Sequence, residues 1–487
     1  MNHSLNNIEP QELWNNFVAL NAVPRPSKKE ERVIAFIMQF GKDLGLETSK
    51  DEVGNVIIKK PASKGMEGKA TVALQSHVDM VHQKNGDTDF DFATQGIEMF
   101  IDGDWVKAKG TTLGADNGIG VASIMTILAS KEIAHPPLEA LFTIDEETGM
   151  TGALGLKGGL MHAKYMLNLD TEHDHELTIG CAGGVDVTAT GSYATEAIGG
   201  TVKAFRLSLK GLTGGHSGMD IHLGRGNANK LMNRILTQAA EFFSISIHSV
   251  DGGSLRNAIP RESVAELIIS AKSEGAFMSW IKEIETTLKL EHNTTDPNLS
   301  VSAIAIDSPK TIFTKEFQNK LLRSVYACPV GIYRMSPDID KLVQTSNNLA
   351  RVLVKDGNYS IQCLTRSSVD SEKMDLAQAI KSTFELMSAS VSYAGSYPGW
   401  TPNPTSSIVK LMSDLYQEIY KENAQVNACH AGLECGILGK NYPDMEMISF
   451  GPNIRGAHSP DEKVQISSVQ KYWSYLLETL KRIPSAS

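Results

Sequence analysis

Three apolar runs, ATVALQSH at 70–77, LEALFTID at 138–145 and KYMLNLD at 164–170, each end in or beside an acidic or imidazole side chain. Continuous apolar strands of this kind are buried on both faces, and helical patterns lie between them. The pairing constrains the chain to an α/β sheet covered on both sides. In such sheets ligands sit beyond the carboxyl ends of the strands. The side chains at those ends are His77 and Asp79, Glu146 and Glu147, and Asp170. Asp116 follows in TTLGADNGIG, and His458 comes far downstream in MISFGPNIRGAHSP.

Carboxylate and imidazole are the ligand types that divalent zinc uses, and catalytic zinc sites leave a position open for water. A lone H-x-D is usually a structural pair, a Glu-Glu dipeptide a solvated face, and a strand-end Asp a cap or turn residue. Here successive strand ends and loops supply the same chemistry, which favours a metal site. Two cations about 3.5–4 Å apart need a bridging carboxylate and terminal ligands on either side. A further carboxylate that binds no cation is needed to take a proton from water. Glu146 and Glu147 point to opposite sides of an extended segment, so one can ligate while the other faces substrate. Asp79, two residues past His77, can orient the imidazole. The crowded carboxylates repel one another without cations, so metal removal is expected to loosen the region.

At 487 residues the chain is too long for one ordinary core, and two domains are expected. A net charge of −10 argues against nucleic acid or an anionic membrane as the main partner. The five cysteines are odd in number and widely spaced, which fits a reducing compartment. The N-terminal MNHSLNNIEPQELW lacks an export pattern, and no apolar stretch reaches membrane length. A cytoplasmic protein is the expectation.

Residues 27–44 predict an amphipathic helix, with Ser27 and Glu30 as a capping box ahead of Val33, Ile37, Phe40 and Leu44. Another helix is expected after Asp116. Beyond about residue 184 the pattern shifts to antiparallel strands (KAFRLSLKG, VAELIISA, LSVSAIAID, NYSIQCLTRSS, SASVSYAGS) with separate helices between them. SYPGWTPNPTSS marks the return near residue 398. Residues 185–397 are therefore expected to be an α+β domain inserted into an α/β domain formed by 1–184 and 398–487. No tandem repeat is apparent.

S-H-V-D-M-V, L-G-A-D-N-G-I-G, D-E-E-T-G-M, N-L-D and G-A-H-S-P-D-E, with the longer G-L-T-G-G-H-S-G-M-D-I-H, L-R-N-A-I-P-R and H-A-G-L-E-C-G, resemble the co-catalytic zinc peptidase family that includes aminoacylase, tripeptidase and carnosinase. The resemblance covers residues 8–482. It implies a zinc-peptidase catalytic domain with a mixed sheet flanked by helices, interrupted by an inserted α+β lid. It implies two zinc ions, replaceable by manganese or cobalt, one held by His77 and Asp170 and the other by Glu147 and His458, with Asp116 bridging. Glu146 is then the general base for a metal-bridged water, and Asp79 orients His77. A cis peptide is implied between Asp116 and Asn117. In the lid, His216 is implied as an oxyanion donor and Asn257 as a donor to the same region or to substrate. Arg366 is a candidate for the substrate carboxylate, with an ion pair within the lid as its alternative. Glu434 is a candidate for the substrate ammonium; for it and for Asn257 a turn or cap is the alternative.

The implied activity is hydrolysis of unblocked dipeptides, including Xaa-His and β-alanyl-histidine, by a homodimer acting on small peptides. A tripeptidase or N-acyl amino acid amidohydrolase is the alternative on the same fold, and a non-catalytic metal-stabilised scaffold the alternative of another class. His173 and His175 read as a solvated loop, and His82 and His222 as surface or supporting groups. Cys429 and His430 do not read as a nucleophile and base. H-S-G at 216–218 is not a nucleophile elbow, and the glycines of 114–120 form neither a dinucleotide fingerprint nor a P-loop.

Overall fold

The computed structural model describes residues 5–486; the first four residues of the polar N-terminal stretch and Ser487 lie outside it. The chain forms two compact units. One comprises Met1–Gly180, Pro402–Ala428 and Leu433–Ser487, and the other Cys181–Thr401 and Cys429–Gly432.

The first unit is built on an eight-stranded mixed sheet. Its order is Glu47–Lys50, Val56–Lys60, Leu138–Thr143, Val72–His77, Tyr165–Asn168, Glu446–Ser449, Glu176–Cys181, Gln425–Cys429. The second to fifth of these strands carry the core, and every residue of Val72–His77, Leu138–Thr143 and Tyr165–Asn168 is buried. Those three strands are parallel to one another, with His77 opposite Thr143 and Gln75 opposite Asn168. Their carboxyl ends therefore share one edge. Helix Ala115–Ala129 crosses between the first two and is buried along nearly its whole length, as a helix with apolar residues on every face must be. It packs between strand Val72–His77 and helix Gln11–Asn21. No helix among the described residues is long and apolar enough to cross a membrane.

The expected helix over 27–44 is shorter, Glu31–Asp43, and the capping box does not form. Ser27 Oγ instead donates to Asp79 Oδ2 at 2.7 Å, while Glu30 Oε1 accepts from the Lys28 amide. A hydrogen bond to a buried carboxylate is stronger than a neutral cap, so Ser27 turns inward. Val33 and Ile37 face the core, but Leu44 lies past the helix end and is 37% exposed.

A small antiparallel sheet closes the long sequence gap to His458. The hairpin of Ile454–Arg455 and Lys463–Gln465 pairs with Trp105–Ala108, which pairs with Met99–Asp102. The loop bearing His458 is thereby tied to the segment leading into Asp116.

The second unit contains a repetition not apparent in the sequence. One βαββαβ module runs Val202–Lys210, helix Ala228–Phe243, Ser246–Gly253, Ser263–Ser270, helix Glu274–Glu291, Ser300–Ile306. The other runs Gly183–Ser192, helix Lys315–Ala327, Val343–Lys355, Asn358–Ser367, helix Asp370–Glu385, Ser390–Tyr397. In each sheet the first strand lies between the third and the fourth. The first module is inserted after the opening strand of the other, so the repetition is nested rather than tandem. Ser246–Gly253 pairs with Val343–Lys355 and joins the two into one antiparallel sheet. Their helices and strands share one core, from Leu207 and Ile235 to Ile361 and Ile380. Cys429–Gly432 joins this unit because the Ala182 amide donates to the carbonyls of Cys429 and Ala431, although the sequence pattern groups it with the other.

Candidate metal centre

In the first unit three strand ends, the start of helix Ala115–Ala129 and the hairpin turn of His458 bring five side chains into two overlapping groups. His77, Asp116 and Asp170 form one, and Asp116, Glu147 and His458 the other, each with ligand atoms within 4.8 Å of one another. Asp116 belongs to both. Its Oδ1 lies 3.2 Å from His77 Nε2 and its Oδ2 3.3 Å from His458 Nε2. His77 Nε2 is also 3.3 Å from Asp170 Oδ1, and His458 Nε2 is 2.9 Å from Glu147 Oε2.

Local backbone explains the aim of each group. His77 is the last residue of its strand, and Asp170 lies two residues past the end of another. Asp116 and Asn117 have non-helical dihedrals at the start of their helix, and the peptide between them is cis, as the resemblance implies. Asn117 Nδ2 donates to Asp170 Oδ1 at 2.6 Å. His458 sits at φ 64° in the hairpin turn.

Asp79 is buried beneath this arrangement. Its Oδ1 lies 3.4 Å from His77 Nδ1 and accepts from the Glu146 amide, while Oδ2 accepts from Ser27 and from the Glu147 amide. One carboxylate thus holds the imidazole and the turn carrying both glutamates. Glu146 itself is in neither ligand group.

The titration behaviour is that of carboxylates and imidazoles serving as one another's counterions. Burial opposes charge on His77, but Asp170, with hydrogen bonds to Asp116, Asp170 and Asp79, raises its pKa well above the usual imidazole value. Hydrogen bonds to Asp116 and Glu147 push His458 up to about 11. Burial, then the Asp116 and Glu147 charges, take Asp170 up to about 6 against the pull of His77. Burial raises Glu146 well above the usual carboxylate range, with the Asp170, Glu147 and Glu434 charges adding to it. Burial also works against charge on Asp79, but His77, Ser27 and the Glu146 amide hold it low.

A divalent cation fits these residues. The donors are carboxylate oxygens and imidazole nitrogens, which suit zinc, manganese or cobalt. Glu147 Oε1 is buried with no hydrogen-bond partner among the described residues, which suits an oxygen that faces a cation.

Glu434 belongs to the same unit and is fully buried. Its Oε2 accepts from Gln75 Nε2 and Thr143 Oγ1, both at 2.6 Å, and its Oε1 is buried without a partner. Burial, with the Asp170 and Asp79 charges, pushes it up to about 8 despite His77 and Thr143. The sequence reading took Ser27 for a cap rather than a partner of Asp79, and it missed Arg25, which donates to the Gly114 carbonyl, and Glu462, which accepts from the Ala115 and Asp116 amides. Glu462 lies within the quoted G-A-H-S-P-D-E string, but nothing local reveals its partners.

The remaining candidates lie in the second unit. His216 Nδ1 accepts from the Gly218 and Met219 amides, at 3.2 and 3.0 Å, which leaves the ring proton on Nε2. Asn257 is exposed, and its carbonyl accepts from the Ser217 amide beside His216. Arg366 is buried; Nη1 donates to the Tyr397 hydroxyl at 2.9 Å, and Nε has no hydrogen-bond partner. A Cβ on Gly218 would fall 3.1 Å from His216 Cε1 and 3.2 Å from Arg366 Nε, so the three residues converge. Asn257 adjoins that loop through backbone alone.

His173 and His175 are half-buried and meet edge to face, at 5.8 Å between ring centres, and His82 and His222 are exposed. The Cys429 thiol donates to the Ala431 carbonyl, while His430 Nε2 lies 2.7 Å from Ser346 Oγ, so the two neighbours face different groups.

A model of peptidase family M20/M25/M40 matches residues 73–482. The cytosol non-specific dipeptidase of Escherichia coli (strain K12) is 42% identical over 481 residues, 99% of each chain. The crystal structure of an aminoacylhistidine dipeptidase from Vibrio alginolyticus superposes with a TM-score of 0.92 at 42% identity, over 99% of each chain. A tripeptidase from Staphylococcus aureus shares the fold, with a TM-score of 0.56 at 15% identity over 98% of this chain and 99% of its own.

Proposed function

The chain belongs to peptidase family M20/M25/M40, and from that membership we propose that it is a metal-dependent dipeptidase cleaving unblocked dipeptides, Xaa-His and β-alanyl-histidine among them. The observation that carries the reading is the sharing of Asp116 between two ligand groups, with Glu146 beside them and outside both. The relatives named above, a non-specific and an aminoacylhistidine dipeptidase, support the substrate class.

His77 and Asp170 would hold one cation, Glu147 and His458 the other, and Asp116 both. Two zinc ions, or manganese or cobalt in their place, would supply Lewis acidity toward the peptide carbonyl and make a water acidic near neutral pH. Glu146 takes a proton from that water and passes it to the nitrogen of the leaving amine. Asp79 keeps the His77 ring in one orientation and fixes the Glu146 backbone. His216, with its proton on Nε2, donates to the developing oxyanion. Arg366 pairs with the substrate carboxylate, a role supported by its Nε, which has no hydrogen-bond partner among the described residues; Asn257 supports the same end. The buried, unpartnered Oε1 of Glu434 receives the substrate ammonium.

The same reading makes the protein cytoplasmic and a homodimer, with small peptides rather than nucleic acid or membrane as partners. A net charge of −10 supports the partner class, the cysteine pattern and the word cytosol in the Escherichia coli relative's name support the compartment, and the homodimer rests on the family resemblance alone.

Purified, metal-loaded protein assayed against unblocked dipeptides, tripeptides and N-acylated amino acids tests the proposal. Turnover should be highest on dipeptides, Xaa-His included. A preference for tripeptides or N-acyl compounds would move the activity to the other branches of the fold and remove the Glu434 role. Full metal content with no hydrolysis across the panel would leave a scaffold.

A further inference from the structure

Two buried polar side chains, Arg25 and Glu462, hold the loops that carry the candidate ligands. Arg25 is 1% exposed and Glu462 is 2% exposed. Glu462 spends both oxygens on one turn: Oε2 accepts from the amides of Leu113 and Gly114, at 2.7 and 2.9 Å, and Oε1 from those of Ala115 and Asp116, at 2.8 and 3.2 Å. Successive amides turned inward form an anion-binding concavity, here filled by the protein's own carboxylate. Glu462 lies four residues past His458 on the same hairpin turn.

Arg25 grips that turn by its opposite polarity. Nη2 donates to the Gly114 carbonyl at 2.6 Å, and Nη1 to the carbonyls of Val78 and Asp79, at 3.1 and 3.0 Å. Asn21 Oδ1 takes a second bond from Nη2 and anchors the guanidinium to the first helix. The guanidinium fills space that glycines leave open: a Cβ on Gly114 or Gly118 would fall 2.6 or 2.7 Å from Nη2.

We infer that Arg25 and Glu462 are positioning residues for the metal centre: Glu462 sets the Asp116 turn against the His458 loop, and Arg25 sets it against the loop of His77 and Asp79. The inference rests on the metal-centre reading above. Neither residue is among the proposed ligands, and both act through backbone atoms. The spacing between the two ligand groups is therefore set from outside them. The chemistry of the pair explains why neither residue is replaceable by a near relative. Glutamine at 462 would turn an amide NH2 toward two of the four N–H groups, and lysine at 25 would offer a point donor where a planar fork spans two loops.

The test uses full-length Glu462→Gln and Arg25→Lys beside the unaltered protein, each stripped of metal and titrated with zinc. Metal content, dissociation constants and melting temperature with and without zinc are measured. Loss of such supporting contacts weakens metal affinity roughly 10- to 100-fold. Both variants should show it, and zinc should raise their melting temperatures less than that of the unaltered protein. A role confined to stability would lower the metal-free and metal-loaded melting temperatures equally and leave the zinc constants unchanged; that result overturns the inference. Should Glu462→Gln not fold, Arg25→Lys decides by the same comparison. If the unaltered protein itself takes up no divalent cation, the metal-centre reading fails and the inference with it. If it takes up two and the variants match it, only the inference fails.

Discussion

His458 Nε2 lies 3.3 Å from Asp116 Oδ2, so a histidine on a late hairpin faces a carboxylate at the start of the crossover helix. The other oxygen of Asp116 faces His77 at 3.2 Å. A carboxylate placed in this way should matter to both of the proposed cations. Asp116→Ala is expected to lose both, whereas Asp170→Ala and Glu147→Ala should each lose one. Metal analysis after gel filtration separates the cases. Full retention of two ions by Asp116→Ala would contradict a bridging role.

Glu146 stands apart from the ligand groups, and its carboxyl pKa is raised by burial and by its acidic neighbours. Glu146→Gln keeps the shape and removes the proposed base. Turnover should fall by roughly 10²- to 10⁴-fold, the usual worth of a positioned proton-transfer group, with metal content unchanged. Joint loss of both ions and activity would assign Glu146 a structural role instead.

Metal loading should release protons. His458 is pushed up to about 11 by its hydrogen bonds to Asp116 and Glu147, so without metal it is protonated at pH 7. A cation taking its Nε2 must displace that proton. A group with a raised pKa competes less as pH rises, so zinc affinity should increase from pH 6 to 8. Calorimetric titration in buffers of different ionisation heat reads the number of protons released. Affinity that is flat over this range would count against His458 as a ligand.

Gly218 is where His216 and Arg366 meet, and a Cβ there would clash with the His430 carbonyl and press on both side chains. A backbone carbonyl cannot rotate away as a flexible side chain can. Gly218→Ala should lower kcat/KM by about 100-fold, the scale of a displacement near 1 Å in a catalytic group. Metal content should not change, because Gly218 belongs to the other unit. Kinetics within twofold of the unaltered protein would show that the convergence is unimportant.

Acid should weaken the second unit through His430. Burial, then the Arg366, His216 and His222 charges, lower its pKa to about 3. The unfolded chain binds this proton below about pH 6.5, and the folded one refuses it until about pH 3. Stability therefore falls as pH drops through that window, by roughly 1.4 kcal/mol per pH unit from this residue. Denaturant unfolding between pH 4 and 7 measures the slope, and His430→Gln should flatten it. An unchanged slope in that variant would place the acid sensitivity elsewhere.

Of the candidate ligands, His77, Glu147 and Asp170 were legible because each lies at or just beyond the point where a strand pattern stops, and strand ends share an edge in a parallel sheet. Asp116 and His458 needed the longer strings around them, since neither ends a strand. Ser27 was misread: S-x-x-E satisfies a local rule, and only the folded chain brings the Asp79 carboxylate within reach of its hydroxyl. Arg25 and Glu462 were invisible for another reason. Their partners are peptide groups, which every residue carries, so no side-chain pattern announces them. The nested modules left no repeat because burial periodicity admits many residues at each position.

The nesting has a consequence for biogenesis. Strand Gly183–Ser192 pairs with Asn358–Ser367 on one side and Ser390–Tyr397 on the other, both made only after the whole inserted module. On the ribosome it emerges with neither neighbour in existence, while the inserted module can close on itself. A strand with Val185, Val187 and Ala189 on one face, waiting through that interval with both edges open, invites stray pairing. The order of synthesis thus leaves the first strand of the second unit open to misassembly until residues 358–397 have been made.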